Sequence, residues 1–352
     1  MKKKYFTQAN SALGFTCLQA DNLIGIHTVY HLESASKQLV NDLLDALATD
    51  LEKEDFLIEY VYSAFDPSLV AGIVLRRLSL AFISGGPIVA GARLIDLSSA
   101  YQRSTLEKNK EELDVLQQEK DECYLAVYRH FGLALQIHNE WEQIYRNEMD
   151  INKANVYRRF VLDKLFSRIE IFNKESSIIR RFFGAQTGSG FVDFIAELTT
   201  GLKRYLIKGR PGTGKSTLMK AIANECQELG YDIEIYHCAL DPESLDMVVV
   251  PELGFCVFDA TDPHNYDPEW KTDEVLDTYE AFIEPNTDER FLEVIRDVTD
   301  RYLVEIKAGL TALNKAEELD KEIETMYTEV IVCEKRDALL VELKKLIKEK
   351  AD

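Results

Sequence analysis

A glycine-rich loop between two regular segments constrains this chain more than any other feature. It reads G-R-P-G-T-G-K-S-T over residues 209–217, which fits the pattern G-x-x-x-x-G-K-S. Residues 205–208 (YLIK) before it indicate a short buried strand, and residues 218–226 after it carry apolar side chains at helical spacing. The sequence therefore predicts a strand, a tight loop and a helix in immediate succession.

A loop of this kind is suited to holding a phosphate group. Its glycines let successive backbone N–H groups face an anion, and the start of the following helix adds a partial positive charge. In this pattern Lys215 reaches the β- and γ-phosphates and the Ser216 hydroxyl contributes to a Mg²⁺ site. We expect ATP with Mg²⁺ to bind through the whole loop, which comprises Gly209, Arg210, Pro211, Gly212, Thr213, Gly214, Lys215, Ser216 and Thr217.

The chain also repeats itself. Residues 58–67 (IEYVYSAFDP) match residues 233–242 (IEIYHCALDP) at a separation of 175 (233 − 58). Residues 9–15 match residues 185–191 at 176, and Ala134-Leu135 match Ala312-Leu313 at 178. A nearly constant separation predicts a tandem duplication, with one domain over residues 1–177 and a second over residues 178–352.

The coarse pattern of each half predicts an α/β fold: two tandem P-loop NTPase-like domains with parallel sheets, each followed by a long helical hairpin. Strands that alternate with helices favour parallel pairing through right-handed crossovers. The hairpins are expected at about residues 103–177 and 288–352, with helices over 105–146, 152–172, 288–316 and 317–350. A dedicated coiled coil is a weaker alternative, because the apolar heptads are not sustained. Each half is expected to open with a loop, at residues 7–14 and 184–190.

Catalytic residues are expected at the end of one strand of the second half. Residues 253–259 form a hydrophobic run that ends on Asp259, and an acidic residue at the carboxyl end of a parallel strand lies where open α/β sheets bind ligands. We predict that Asp259 holds Mg²⁺ with Ser216 and that Lys215 acts on the phosphates. Ala260 follows where many ATPases carry a glutamate, so Asp262 and His264 are the nearest candidates for a base.

A bland interpretation competes for these last residues. A lone histidine is more often a packed or capping residue than a catalytic one, and this applies to His264. His237, Asp241 and Asp246 close the second strand of this half and face the same alternatives.

The first half lacks the phosphate loop. Residues 31–38 read H-L-E-S-A-S-K-Q, without glycine and about three residues shorter, and Glu33 would repel a phosphate. Lys37 is the apparent remnant of the loop lysine, and Ser84 or its neighbour takes the place of Asp259. We therefore expect one nucleotide per chain.

Composition restricts the partners and the compartment. With 61 acidic against 41 basic residues and a net charge of −20, the chain lacks the basic character that nucleic-acid binding needs. Its six cysteines never form C-x-x-C, which fits a reducing cytoplasm. The most apolar stretch, residues 78–92, is too short and too broken to span a membrane. The expected partners are a nucleotide and, through the helical hairpins, another protein or a second copy.

Several motifs of the second half occur together in a known family. They lie at residues 184–191, 209–216, 236–238, 241–246, 251–253 and 259–264. With them the chain resembles the bacterial tandem P-loop ATPase-like proteins, best represented in Gram-positive bacteria, which are also described as nucleotide-kinase-like. The resemblance implies nucleotide binding. Both halves of that family carry a phosphate loop, so the eroded first loop is a departure from it.

The sequence is compatible with four functions. A Mg²⁺-dependent ATPase used as a switch leads, ahead of a small-molecule or nucleotide kinase and of an ATP-binding interaction protein with negligible turnover. A hexameric AAA+ motor shares the loop sequence, but Asp259 lacks the glutamate that should follow it. No arginine lies between Arg210 and Arg290, which predicts slow hydrolysis and disfavours a kinase lid, although Arg290, Arg296 and Arg301 lie beyond it.

Overall fold

Two six-stranded sheets organise the computed structural model, which describes residues 2–351. The first half contains β1 (Lys3–Phe6), β2 (Gln8–Ser11), β3 (Gly14–Cys17), α1 (Gln19–Asn22), β4 (Thr28–Glu33), α2 (Lys37–Lys53), β5 (Glu59–Tyr62), β6 (Val70–Leu75), β7 (Leu80–Ser84), β8 (Arg93–Asp96), α3 (Arg103–Lys108), α4 (Lys110–Asn147) and α5 (Ile151–Phe166). The second contains β9 (Ile178–Arg181), β10 (Gly184–Thr187), β11 (Gly190–Asp193), α6 (Ile195–Leu198), β12 (Lys203–Lys208), α7 (Lys215–Glu228), β13 (Ile233–His237), β14 (Leu245–Val250), β15 (Phe255–Asp259), β16 (Glu274–Asp277), α8 (Thr278–Phe282), α9 (Thr287–Arg290), α10 (Leu292–Thr328) and α11 (Cys333–Ala351).

The two sheets have the same strand order. The first runs β1-β5-β6-β7-β4-β8 and the second runs β9-β13-β14-β15-β12-β16, so the halves share one plan, as the repeat predicts. The expectation of parallel sheets is confirmed only in part: the other strand pairs of the two sheets are parallel, but β6 and β14 are antiparallel to both neighbours. The turn before β6 spans only residues 63–69, which is too short for a parallel crossover. The expected opening loops are hairpins, β2–β3 and β10–β11.

The long helices pair across the halves. Helix α4 has 38 residues, about 57 Å at 1.5 Å per residue, and packs along α10. Their side chains meet in an antiparallel order, through the pairs Lys120–Asp320 at 2.9 Å, His130–Glu305 at 2.7 Å and Arg301–Glu140 at 2.8 Å. The predicted hairpins are therefore wrong: each long helix pairs with that of the other half. The break expected between residues 316 and 317 is also wrong, because α10 continues to Thr328.

The last helix of each half packs on the opposite half. Val161 and Leu165 of α5 join the core under α7, and Leu343 and Ile347 of α11 join the core of α2 and the first sheet. Fully burying an aliphatic side chain of this size stabilises a fold by about 1.5–3 kcal/mol. The exchange therefore ties the two halves together through their hydrophobic cores.

A pseudo-twofold axis passes where β1 and β9 meet. The backbones of Phe6 and Phe182 exchange two hydrogen bonds, of 2.9 and 2.8 Å. Beside them the buried Arg181 donates to Glu59 at 3.0 Å and to Glu234 at 3.3 Å. Burial raises the pKa of Glu234, but the charge of Arg181, with that of a nearby lysine, outweighs it and holds the pKa at about 2. This polar contact fixes the orientation of the halves.

The sequence separation between equivalent residues of the two halves increases along the chain. Strands β7 and β15 begin 175 residues apart (255 − 80), whereas the backbone bridges Tyr101–Ile331 and Met149–Ile283 correspond at 182 (283 − 101 and 331 − 149). The second half has the longer loop after its last central strand, residues 260–273 against 85–92. The predicted match of Ala134 with Ala312 is therefore wrong. At 182, Ala134 corresponds to Ala316, and both are fully buried.

The cysteines and the hydropathy of the helices add two facts. All six cysteines are free thiols. Within residues 2–351, none of the helices combines the length and the apolar character that crossing a bilayer requires.

Candidate functional site

The loop of residues 209–214 joins β12 to α7 and is tightly wound. Gly212 and Gly214 have φ angles of +78° and +79°, a region that glycine adopts without strain. Thr213 lies buried inside the loop, where its hydroxyl donates to the Arg210 carbonyl at 2.8 Å and lies 2.8 Å from the hydroxyl of Thr278. The loop therefore closes on its own side chain and delivers the chain to the start of a 14-residue helix.

Lys215 and Asp259 lie together at the end of this loop. The Lys215 ammonium donates to the Arg210 carbonyl at 3.0 Å and lies 3.6 Å from Oδ2 of Asp259. Strand register explains the approach, because Ile207 of β12 is paired with Asp259 of the parallel strand β15. The other carboxylate oxygen, Oδ1, accepts from the Thr261 amide at 3.0 Å and from its hydroxyl at 2.5 Å. Oδ2 is thus the oxygen that faces the lysine.

Two oxygen atoms of this site are of the chemical type that magnesium binds. The Ser216 hydroxyl accepts a hydrogen bond from the Leu245 amide at 3.0 Å, and Asp259 presents Oδ2. Mg²⁺ usually takes one or two protein oxygens and completes its shell with water and phosphate oxygens. Among the described residues no group of three or more His, Cys, Asp or Glu could hold a metal by itself. An ion held by Ser216 and Asp259 would therefore depend on nucleotide and water for its other ligands.

His264 is a buried neighbour of the site. Its Nε2 lies 3.3 Å from Oδ2 of Asp246, and its ring meets Phe183 and Phe191 edge-on at 4.9 Å. Burial lowers the pKa of His264, but the hydrogen bond to Asp246 and its charge, supported by Asp259, raise it above the ordinary value. The ring of His264 is therefore packed between two phenylalanines and paired with Asp246.

The other acidic and histidine candidates differ in their exposure and in their contacts. Asp262 is exposed in the turn after β15. His237 contacts the Pro242 carbonyl at 2.6 Å and Arg180 at 3.1 Å, and burial lowers its pKa. Burial raises the pKa of the half-buried Asp241. The structure thus brings Lys215 and Asp259 together, with Ser216 next to Lys215 at the start of α7, while His264 pairs with Asp246 and Asp262 is exposed.

Helix α4 of the first half lies across the loop. A Cβ on Gly212 would stand 2.3 Å from the Glu142 carbonyl oxygen and 2.8 Å from its Cα. One turn earlier, burial lowers the pKa of His138, and the charge of Lys215 lowers it further against the opposing charges of Glu142 and Asp241. Sequence reasoning missed these residues, because an amphipathic helix does not show which of its ends will meet a distant loop.

A polar contact fixes the outer edge of the loop to that helix. Arg210 donates to Asp288 of α9 through Nε and Nη2, at 3.1 and 2.9 Å. The Tyr145 hydroxyl of α4 donates to the other oxygen of Asp288 at 2.8 Å. The carboxylate of Asp288 on α9 therefore binds both the loop and α4.

The corresponding position of the first half is filled by a side chain. Helix α2 begins at Lys37, as α7 begins at Lys215. The Glu324 carboxylate of α10 accepts from the Lys37 amide at 2.7 Å, the Gln38 amide at 3.2 Å and the Ser36 hydroxyl at 2.7 Å. Free amides at a helix start are the groups that bind phosphate in a G-x-x-x-x-G-K-S loop. Glu324 thus occupies the anion position of the first half.

A second carboxylate takes the lysine. Lys37 forms an ion pair with Asp320, which also pairs with Lys120 at 2.9 Å. Burial raises the pKa of Asp320, but the two ammonium charges outweigh it, so its pKa lies below the ordinary value. The connecting loop is residues 34–36 rather than 209–214, three residues shorter as expected, and β7 ends at Ser84 where β15 ends at Asp259.

Comparison with protein-family models, with curated proteins and with solved structures found no match to this chain. The resemblance to the bacterial tandem P-loop ATPase-like proteins therefore stays a hypothesis that rests on the motifs quoted above.

Proposed function

We propose that the second half is a P-loop NTPase site that binds ATP with Mg²⁺, hydrolyses it slowly and serves as a switch. One observation carries the proposal. The Lys215 ammonium stands between the Arg210 carbonyl and the Asp259 carboxylate, at the start of a helix and beside two glycines of positive φ. This arrangement supplies a cation, helix-start amides and a metal-ligating carboxylate in one place.

Each residue has a separate task in this proposal. Gly212 and Gly214 allow backbone amides to face the phosphates, and Lys215 neutralises charge on them. Ser216 and Asp259 would hold Mg²⁺, which supplies further charge neutralisation when it is bound. In phosphoryl transfer this positioning and neutralisation account for most of the catalysis.

Slow turnover follows from the residue after Asp259. Ala260 is fully buried, its amide donates to the Ile207 carbonyl at 3.0 Å and its carbonyl accepts from Lys208 at 2.9 Å. A methyl group held in this way cannot orient an attacking water. We expect a basal rate well below the typical enzyme value of about 10 s⁻¹.

The position of α4 supports a switch. Its backbone at Glu142 contacts Gly212, so a phosphate that orders the loop would act directly on the end of α4. Helix α4 belongs to the first half and packs along α10 of the second. A kinase is less favoured. Two of the arginines that could clamp an acceptor are already engaged, Arg290 with Glu148 at 2.7 Å and Arg301 with Glu140 at 2.8 Å. An ATP-binding interaction protein differs from the switch only in its turnover.

Compartment and partners belong to the same proposal. Free thiols at all six cysteines suit a cytoplasmic location, and the net charge of −20 disfavours nucleic acid as a partner. The exposed apolar residues Leu125 and Leu303 of α4 and α10 support a protein contact or self-association along this helix pair.

Calorimetric titration of the full chain with Mg²⁺ and ATP tests the proposal. We expect close to one site per chain, at least a tenfold loss of affinity in Lys215→Ala because a charged contact to phosphate is removed, and no change in Lys220→Ala, an exposed lysine of the same helix. Lys37→Ala should leave the stoichiometry unchanged. Equal affinities in Lys215→Ala and Lys220→Ala, or two equivalent sites, would contradict the proposal.

A further inference from the structure

Under the pseudo-twofold symmetry, His138 has a counterpart in the first site that contacts the lysine there. At the separation of 182 that relates α4 to α10, His138 corresponds to Asp320 (320 − 138), and Glu142 corresponds to Glu324 (324 − 142). Asp320 pairs with Lys37, the lysine at the start of α2. His138 lies one helical turn before Glu142, whose backbone contacts Gly212 of the loop that leads to Lys215.

We infer that His138, from the first half, belongs to the nucleotide site of the second half and contacts the terminal phosphate of bound ATP. The inference rests on the proposed function. In the first half, the carboxylates of Asp320 and Glu324 occupy the lysine and the helix start, which are the two positions a phosphate chain would take. With an imidazole in place of Asp320, α4 brings no carboxylate of its own to Lys215, whose ammonium among the described residues contacts only the Arg210 carbonyl and Asp259. The imidazole N–H can also donate to a phosphate oxygen, which a carboxylate cannot do.

The counterpart of Glu324 in this site, Glu142, also directs its carboxylate elsewhere. The Glu142 carboxylate pairs with Arg146 of its own helix, while its backbone rests on Gly212. The loop of residues 209–214 is three residues longer than its counterpart, and its Gly212 contacts the backbone of α4 at Glu142. The helix start at Lys215 therefore stays clear of the carboxylate that fills the equivalent position of the first half.

The surroundings of His138 keep its ring neutral and oriented. Lys215 of α7, Asp241 after β13, and Glu142 and Arg146 of its own helix are the charged groups that face it. The ring centres of Trp141 and Tyr302 lie 6.3 and 5.9 Å away. Burial is the largest cause of its lowered pKa and favours the neutral form of the ring.

The test compares ATP with ADP in the full chain. The control is His130→Gln, eight residues earlier on the same helix, where the ring pairs with Glu305 instead. His138→Gln should weaken ATP binding about tenfold, as expected for a lost hydrogen bond to a charged group, and ADP binding less. A purely structural role would weaken both nucleotides alike, so the ratio of the two affinities decides between contact and scaffold.

A second measurement uses the wild-type chain alone. In histidine-labelled protein, the His138 ring signals should shift when ATP saturates the site, and those of His130 should not. If ATP binds and Lys215→Ala abolishes the binding, but the affinity ratio and the His138 signals are unchanged, the inference fails and the proposed function stands. If neither nucleotide binds the wild-type chain, both fail. If His138→Gln does not fold, the ring signals decide.

Discussion

Removing the charge of Glu324 should destabilise the first half. Glu324→Gln keeps the size of the side chain but replaces one of two accepting oxygens with an NH₂ group. The carboxylate accepts from the Lys37 amide through Oε1 and from Ser36 and Gln38 through Oε2. The glutamine side chain has only one accepting oxygen, so either the hydrogen bond from Lys37 or those from Ser36 and Gln38 are lost. Hydrogen bonds to charged groups contribute about 1.5–3 kcal/mol each, and an anion at a helix start adds about 0.3–1 kcal/mol. We expect a loss of about 2–4 kcal/mol for this partly buried group.

Hydrogen exchange measures this loss where it occurs. Global unfolding of two interlocked halves need not be two-state, whereas amide exchange reports local opening. The amides of Lys37 and Gln38 and the first turn of α2 should exchange faster in Glu324→Gln. Glu322→Gln is the matched control, because Glu322 is exposed on the same helix.

Added anions should restore what the substitution removes. Inorganic phosphate or sulfate that occupies the vacated helix start binds the folded state only, so it should raise the melting temperature of Glu324→Ala by mass action. The same salt should have a smaller effect on the wild-type chain, whose anion position is already filled. If Glu324→Gln and Glu322→Gln show equal exchange, and phosphate raises the melting temperature of Glu324→Ala no more than that of the wild type, Glu324 does not act as the internal anion.

Three further changes test other parts of the molecule. Asp259→Asn should abolish the Mg²⁺-dependent part of ATP turnover while the far-ultraviolet spectrum is retained; unchanged turnover would place the metal elsewhere. The pKa of His264 in the folded chain is raised above 6.5, so its stabilisation is fully present below about pH 6.5 and is lost as the pH rises through the raised pKa. His264→Gln should therefore cost more stability in acidic than in alkaline urea titrations, and a pH-independent cost would refute the Asp246 pairing. Leu343→Ala, in the buried contact of α11 with the first half, should cost about 2–5 kcal/mol and speed exchange in α2, whereas the exposed Val341→Ala should change stability by less than about 0.5 kcal/mol.

Local features of the site were predictable because their signal lies along the chain. The loop of residues 209–214 sits between a strand and a helix that begins at Lys215, as the spacing of glycines and apolar residues predicts. Asp259 ends its strand, and Ser84 ends the equivalent strand of the first half. The shorter loop before Lys37 was also readable from the missing glycines.

Packing between distant segments was not predictable in the same way. The apolar stripe of α4 indicates that one face is buried, but it does not identify the covering element, so a local hairpin was expected where α10 packs instead. The same limit hid the exchange of α5 and α11, and the antiparallel strands β6 and β14 were hidden by short turns within apolar runs.

The sequence by itself determined which half carries the intact G-x-x-x-x-G-K-S loop, because loop length, glycine content and the lysine at the helix start are local properties. Only the tertiary structure decided what faces each loop. Glu324 reaches the Lys37 amide across 287 residues of chain, and α4 brings His138 from the first half toward Lys215 of the second. These contacts depend on the pseudo-twofold arrangement and on the pairing of two long helices. Both minimise exposed apolar surface over the whole molecule, and no local pattern encodes that sum.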